Sequence, residues 1–231
     1  APLEAASLGI RLSETDVAFR CNLVTLSMQN GILTMDDYSA GHIRTDEARE
    51  IIDDLDRALG DENIRFYPGV SYRHIMVWHG GAADIDTTPP HDITGRAVRP
   101  YLDRMTSHGV LLELMDRAGA ILENHPINKK RVEKGLKPAN HIWFWGQGYA
   151  PELEAFKVRT GLAGAMISAV DLLRGIGVYA GLEVIRVPGA TGYFDTDYEA
   201  KAPPHLFPPI CRTDDYPENL IRPSPEPFAL S

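Results

Sequence analysis

The chain has 231 residues, of which 44% are hydrophobic and 24% charged, and its formal net charge is −9. That length allows one large domain or two small ones with a sizeable core, and the sequence shows neither an apolar run of about 18 residues that could span a membrane nor a signal-peptide pattern at its start. The acidic balance argues against a nucleic-acid partner, because such binding depends on neutralising phosphates, although a few arginines in one cleft can still attract a small phosphorylated molecule.

The first strong pattern is a strand over residues 16–26, where apolar and polar positions alternate. Arg20 and Asn22 are two residues apart and therefore project from one face. An arginine among apolar residues needs an anionic partner, so the pair predicts a clamp for a phosphate or carboxylate ligand; the alternative is an ion pair with a carboxylate of the same chain. Cys21 lies in the same run and is predicted as a core residue. With Cys211 as the second cysteine of the sequence, a reducing cytoplasm is favoured over a disulfide framework.

A helix is predicted over residues 45–59, with Thr45 as its N-cap, after a loop over residues 36–44. A second strand is predicted over residues 72–79. Arg73 lies near its start, where α/β proteins often place ligand-binding groups, and its planar guanidinium suits phosphate. His74 points to the opposite face, so the two residues serve one site only if the strand bends. The alternative is an ordinary amphipathic strand edge.

Two later segments carry further polar candidates. His91 and Asp92 lie in a loop bounded by prolines and a glycine, where they could supply metal ligands or an acid–base pair; the alternative is a local turn at Asp92 with His91 packed in the loop. An amphipathic helix is predicted over residues 111–122. Asn128 and Arg131 are three residues apart and are predicted to share a face just beyond that helix.

The second half of the chain predicts strands over residues 142–145 and 181–188 and a helix that begins after Ser168. Strands that alternate with helices indicate an α/β domain, with a mixed sheet flanked by helices. The tryptophans at positions 143 and 145 are predicted as core residues; the alternative is a stacking platform. Little periodicity remains after Ala202, and residues 203–231 are predicted as an extended, proline-rich tail.

Eight motifs follow one another along the chain: Ala-Pro-Leu-Glu-Ala-Ala (1–6), Asp-Val-Ala-Phe-Arg-Cys-Asn (16–22), Pro-Gly-Val-Ser-Tyr-Arg-His (68–74), Pro-Pro-His-Asp-Ile-Thr-Gly (89–95), His-Pro-Ile-Asn (125–128), Trp-Gly-Gln-Gly (145–148), Ile-Ser-Ala-Val-Asp-Leu-Leu-Arg-Gly-Ile-Gly (167–177) and Val-Pro-Gly-Ala-Thr-Gly-Tyr-Phe-Asp-Thr-Asp-Tyr-Glu-Ala-Lys-Ala (187–202). In this order they resemble the archaeal-type, cofactor-independent phosphoglycerate mutases of the alkaline phosphatase superfamily. The resemblance covers residues 1–202.

The resemblance implies four segments: a leading piece of the phosphatase-like domain (1–15), an inserted α/β substrate-binding domain (16–165), a return into the phosphatase-like sheet (166–202) and the proline-rich tail (203–231). It implies interconversion of 2- and 3-phosphoglycerate in glycolysis, by phosphoryl transfer that uses a serine nucleophile and divalent manganese, zinc or magnesium. The family's serine and most of its metal-ligand motifs have no counterpart here. The chain is therefore expected to be an incomplete portion, inactive alone, with no catalytic residue and no tightly bound metal.

Seven residues are predicted to bind a phosphorylated substrate: Arg20, Asn22, Arg73, His91, Asp92, Asn128 and Arg131. The three arginines are expected to converge on one cleft beside the sheet; the alternative is that each makes an ordinary surface salt bridge. The segment Tyr38-Ser39-Ala40-Gly41-His42 departs from the arginine-containing form of many such mutases and resembles a bacterial branch of proposed homoserine kinases. Two other functions therefore stay open, a homoserine-directed phosphotransferase of the same architecture and a non-catalytic anion-binding domain. The oligomeric state is left open as well.

Overall fold

The computed structural model describes residues 1–190 together with residues 196 and 197, apart from the side chains of residues 107 and 108. The chain divides into two compact units, Ala1–Ile185 and Arg186–Ser231. The helices and strands that the structure describes all lie in the first unit. The predicted tail, residues 203–231, lies outside the described residues.

The strands of the first unit are, in chain order, Asp16–Gln29 (β1), Ile32–Asp37 (β2), Ile64–Val70 (β3), Arg73–His79 (β4), His141–Gly148 (β5), Ala165–Ile167 (β6) and Glu183–Ile185 (β7). Its α-helices are Pro2–Ser7 (α1), Thr45–Leu59 (α2), Arg99–Leu102 (α3), Gly109–Glu123 (α4), Pro126–Glu133 (α5), Phe156–Thr160 (α6) and Asp171–Tyr179 (α7). Short 3₁₀ helices cover Pro90–Ile93 and Asp103–His108. Within residues 1–190, 196 and 197, none of the helices is both long enough and apolar enough to cross a membrane.

The long strand β1 organises a five-stranded sheet with the order β2-β1-β4-β3, in which β5 also pairs with β1. The first part of β1 pairs with β4 and β5, and its last residues pair with β2. All of these pairings, and that of β3 with β4, are antiparallel. The strands β6 and β7 form a separate parallel pair. Residues 18–22 of β1, which include Arg20 and Asn22, therefore lie in the middle of the sheet, with β4 on one side and β5 on the other.

The two faces of β1 have different neighbours because successive side chains alternate between them. Phe19 on the first face is fully buried in the main hydrophobic core, together with the apolar side chains of α2 and α4. Ala18 on the second face packs with Ala5 of α1 in a smaller cluster. Arg20 and Asn22 follow Ala18 on this second face, so the sheet places them away from the helix-covered core.

Helix α1 packs directly against α7, so two segments far apart in sequence lie side by side. The contact is so close that a Cβ atom at Gly175 would lie 1.9 Å from the carbonyl oxygen of Leu3. The Ser7 hydroxyl donates a hydrogen bond of 2.9 Å to Asp171 Oδ1 at the start of α7. Glycine at position 175 is therefore a packing requirement of this helix pair.

The predicted α/β class, with helices packed on a sheet, is confirmed. The predicted mixed sheet takes the form of the antiparallel five-stranded sheet and the parallel pair β6–β7. Sequence reasoning did not find β3, in which Pro68 and Gly69 interrupt the strand pattern, or α5, which begins at Pro126. The prediction of Thr45 as N-cap is wrong by one residue: Arg44 takes that position, and the Thr45 hydroxyl accepts a hydrogen bond from the Ser71 backbone N–H at 3.1 Å.

Candidate functional site

Arg20 projects from the second face of β1, opposite Ile75 on β4 and Trp145 on β5. Its guanidinium forms an ion pair with the carboxylate of Glu4, and its Cζ atom lies 4.3 Å from the centre of the Trp145 ring. Burial alone would raise the pKa of Glu4, but the hydrogen bond and charge of Arg20, together with the amino-terminal charge, outweigh it and lower that pKa. The sequence alternative of an internal ion pair thus describes Arg20, although only one of its nitrogens is engaged with Glu4.

Asn22 is buried beside Arg20 on the same face, and its amide is held at both ends. Its Oδ1 accepts a hydrogen bond of 3.0 Å from Trp145 Nε1, and its Nδ2 donates to the backbone carbonyl of Tyr38 at 3.3 Å. The amide is therefore fixed in place by a ring on β5 and by the loop that follows β2.

Arg73 lies directly opposite Asn22 in the pairing of β1 with β4. It is a diagonal neighbour of Arg20, a relation that sets the two Cα atoms about 7–8 Å apart on one face. Arg73 is exposed, and its Cζ atom lies 5.5 Å from the centre of the adjacent Tyr72 ring. Among the residues that the structure describes, it forms no hydrogen bond or ion pair, so its guanidinium is available to an external anion.

Aromatic rings connect Arg73 with the opposite side of this face. The Tyr72 and Tyr38 rings lie 5.6 Å apart, Tyr38 and His91 6.1 Å, and His91 and Trp145 5.3 Å, all edge to face. His91 therefore lies beside Trp145, although it belongs to the 3₁₀ helix Pro90–Ile93 between β4 and α3. Asp92 is largely exposed, and its Oδ1 lies 3.6 Å from His91 Nε2, too far for a hydrogen bond.

The structure thus brings together four of the predicted residues with one that was not predicted; we call this group the basic-aromatic cluster, and its members are Arg20, Asn22, Arg73, His91 and Trp145. The cluster contains two guanidinium groups; the Glu4 carboxylate pairs with that of Arg20, and the Asp92 carboxylate lies beside His91, which leaves the guanidinium of Arg73 without a carboxylate partner among the described residues. The guanidinium of Arg73 and the imidazole of His91, with the Asn22 amide held in place on the same face, suit the binding of an anion with further oxygen atoms. The period of the strand could have indicated Trp145, which lies two residues after Trp143 and so on the same face.

Asn128 and Arg131 lie elsewhere and are occupied within the chain. The Asn128 amide donates to the carbonyls of Leu122 and Ala139 at 2.8 and 2.9 Å and accepts from the Ala139 N–H at 2.8 Å. Arg131 is 3% exposed and forms an ion pair of 2.6 Å with Glu47. We therefore assign both residues a structural role, and the expected convergence of three arginines is reduced to Arg20 and Arg73.

A divalent metal needs several carboxylate, imidazole or thiolate ligands close together. In residues 1–190, 196 and 197, no three His, Cys, Asp or Glu side chains lie close enough together to hold a metal ion. His91 and Asp92 were predicted from the sequence as possible metal ligands, but no third His, Cys, Asp or Glu side chain joins them among the described residues. The described part of the chain therefore does not fit a two-metal site, and no chemical step is assigned to a metal.

Residues 1–128 match the family described as 2,3-bisphosphoglycerate-independent phosphoglycerate mutase. A protein of that name from Methanosarcina mazei is 57% identical over 202 residues, which are 87% of this chain and 50% of the relative. A probable 2,3-bisphosphoglycerate-independent phosphoglycerate mutase from Geobacter sulfurreducens is 52% identical over 200 residues, again 87% and 50%. The chain spans about half the length of these curated relatives.

Two solved structures are similar as well. The PH0037 protein from Pyrococcus horikoshii superposes with a TM-score of 0.63 at 25% identity, over 87% of this chain and 45% of that one. The cofactor-independent phosphoglycerate mutase from Thermoplasma acidophilum gives a TM-score of 0.51 at 27% identity, over 82% and 52%. Four members of the basic-aromatic cluster, Arg20, Asn22, Arg73 and His91, lie within residues 1–128, which match the family.

Proposed function

Because the chain belongs to the 2,3-bisphosphoglycerate-independent phosphoglycerate mutase family, we propose that it supplies the substrate-binding part of an enzyme that interconverts 2- and 3-phosphoglycerate. The substrate is held on the second face of the sheet, by the basic-aromatic cluster. Phosphoglycerate carries a phosphate and a carboxylate, and the cluster offers two arginines as diagonal neighbours on one face. This chain alone binds the substrate without turning it over.

The observation that carries the proposal is the state of Arg73. It is exposed and has no anionic partner among the described residues, whereas Arg20 on the same face is already paired with Glu4. A guanidinium can donate two parallel hydrogen bonds to a phosphate or a carboxylate. Arg73 is therefore the first contact for the substrate. Asn22 lies opposite it in the strand pairing, and His91 is connected with it through the rings of Tyr72 and Tyr38; both are proposed to meet further oxygen atoms.

The chemistry of transfer belongs to the remainder of the complete protein in this proposal. The relatives are about twice the length that the chain covers, and phosphoryl transfer of the alkaline-phosphatase type uses divalent manganese, zinc or magnesium to neutralise charge. In this proposal the residues of this chain bind and orient the glycerate, and the charge neutralisation that divalent metals would supply has no ligand set among the described residues. We place this glycolytic reaction in the cytoplasm.

Calorimetric titration of the chain with 3-phosphoglycerate tests the proposal. We expect binding by the unmodified chain, and an affinity that is about 10- to 100-fold lower for Arg73→Ala, because a charge-assisted hydrogen bond is lost. Arg117→Ala is the matched control: it removes the same charge from α4, which packs on the other face of the sheet, and should bind like the unmodified chain.

Two further ligands give the experiment its contrast. Inorganic phosphate should bind more weakly than 3-phosphoglycerate, and homoserine should not compete. If phosphate binds as tightly as 3-phosphoglycerate, this face of the sheet is a general anion site. If homoserine competes with 3-phosphoglycerate, the proposed substrate is wrong. Equal affinity of Arg73→Ala and the unmodified chain would show that the substrate binds elsewhere.

A further inference from the structure

Trp145 contacts more members of the basic-aromatic cluster than any other residue in it. The residue is partly buried on β5, opposite Arg20 in the pairing with β1. Its ring lies under the Arg20 guanidinium at 4.3 Å, its Nε1–H donates to Asn22 Oδ1 at 3.0 Å, and the His91 ring meets it edge to face at 5.3 Å. One side chain therefore contacts three of the residues proposed to bind substrate.

We propose that Trp145 is the positioning residue of this site, which sets the place of Arg20, Asn22 and His91 before the substrate arrives. The inference rests on the proposed function and concerns the same face of the sheet. Trp145 itself offers the substrate no charge, and it acts through the three residues that it contacts.

The physical reason lies in the freedom of the side chains that Trp145 holds. A free arginine has many rotamers, and fixing one of them during binding costs affinity. The ring of Trp145 holds the Arg20 guanidinium from one side, while Glu4 engages one of its nitrogens. The remaining N–H groups of Arg20 are therefore restricted to one orientation before a substrate binds. The indole N–H likewise fixes which end of the Asn22 amide faces Tyr38.

The neighbouring tryptophans show that this role is particular to Trp145. Trp143, two residues earlier on β5, is fully buried, and its Nε1–H donates to the Thr88 carbonyl at 2.8 Å, which attaches a loop to the sheet. Trp78 on β4 lies opposite Val17 and so on the first face of the sheet. Neither tryptophan lies against a guanidinium of the cluster.

Three variants of the 231-residue chain test the inference, each titrated with 3-phosphoglycerate. Trp145→Leu should bind about tenfold more weakly, since both the cation–π contact and the N–H donor are lost. Trp145→Phe keeps a ring under Arg20 and should recover part of the affinity. Trp78→Leu is the matched control, a partly buried tryptophan of the same sheet on the opposite face, and should bind like the unmodified chain even where its melting temperature falls as far as that of Trp145→Leu.

A measurement on the unmodified chain complements the variants. In a nitrogen-15 correlated NMR spectrum, addition of 3-phosphoglycerate should shift the indole N–H signal of Trp145 more than that of Trp78, because substrate contacts reach Trp145 through Arg20 and Asn22. Equal affinity of Trp145→Leu and the unmodified chain, or an unmoved Trp145 signal at saturation, overturns the inference. If Arg73→Ala loses affinity in the same series, the proposed function survives this result. If the unmodified chain does not bind 3-phosphoglycerate, the proposed function fails and the role of Trp145 fails with it.

Discussion

Arg131 is a charged residue inside the protein, and its donors are directed at its own chain. Nε donates to the Lys137 carbonyl at 2.9 Å, Nη1 to Glu47 at 2.6 Å and Nη2 to the Ala40 carbonyl at 2.7 Å. Ala40 and His42 have positive φ angles of 49° and 50°, a conformation that is strained for residues other than glycine. Arg131 therefore anchors a strained turn to α5 and α2.

The variant Arg131→Ala should lower the free energy of unfolding by about 3 kcal/mol, because removing one partner leaves buried polar groups unpaired. Urea unfolding measures the change. Arg73→Ala is the control, since an exposed arginine that forms no hydrogen bond or ion pair among the described residues should change stability by no more than about 0.5 kcal/mol. Similar losses in the two variants would contradict the structural role of Arg131.

His74 is a second buried ionisable residue, on the core face of β4. Its Nδ1 accepts a hydrogen bond of 3.0 Å from the Gly69 N–H, and its Nε2 is buried without a partner among the described residues. Burial lowers the pKa of His74 from 6.5 to about 3, and the charges of Arg49 and Arg73 act in the same direction, against an interaction with the Ser71 backbone that raises it. His74 is therefore neutral wherever the protein is folded near neutral pH.

The lowered pKa makes stability depend on pH. Between pH 6.5 and about 3 the unfolded chain binds a proton at His74 and the folded chain does not. Protonation of His74 therefore does not reduce the free energy of unfolding above pH 6.5, and reduces it progressively as the pH decreases below 6.5. The slope is at most about 1.4 kcal/mol per pH unit. Urea unfolding at pH 7.5, 6 and 5 should show a smaller slope for His74→Gln than for the unmodified chain, and equal slopes over this range would refute the assignment.

At the scale of the elements, the period of a strand could be predicted from the sequence, whereas the register between two strands could not. The alternation in β1 was enough to predict that Arg20 and Asn22 share a face. The position of Arg73 opposite Asn22 depends on the register between β1 and β4. That register is set by the packing of the whole sheet, and the sequence of either strand alone does not determine it. The engagement of Arg131 with Glu47, 84 residues earlier, was equally beyond local patterns.

The close packing of α1 against α7 predicts that adding a single methyl group at their contact lowers the stability of the protein. The variant Gly175→Ala places a Cβ atom 1.9 Å from the Leu3 carbonyl oxygen, so the helices must move apart, at a cost of about 1–3 kcal/mol in unfolding free energy. Faster hydrogen exchange in α7 and weaker resistance to urea are the expected results.

Gly109→Ala is the control for this substitution, because a Cβ atom there meets no described atom within 4 Å. Alanine at this first residue of α4 should leave stability unchanged or raise it slightly. If Gly175→Ala proves as stable as Gly109→Ala, the close approach of the two helices is not a feature of the protein in solution.

For the whole molecule, the α/β class followed from the sequence because most elements carry a clear period. The exceptions are informative: β3 contains a bulge between Tyr67 and Val70, which breaks its alternation, and α5 has few apolar residues to mark a buried stripe. The antiparallel topology could not be predicted, since the segments between strands fit several connections. The family could be predicted only from the order of the motifs along the chain, because the periodicity of single elements carries no information about family.

The central place of β1 also determines when the site can form during synthesis. The N–H of Leu26 is paired with Asn140, 114 residues later, and Trp145 reaches Asn22 across 123 residues. At typical elongation rates the ribosome needs on the order of ten seconds to add that length. Until β5 emerges, one side of β1 keeps its backbone donors and acceptors open, and such an edge is exposed to pairing with other nascent chains. The basic-aromatic cluster is thus completed late, when β5 brings Trp145 beside Arg20.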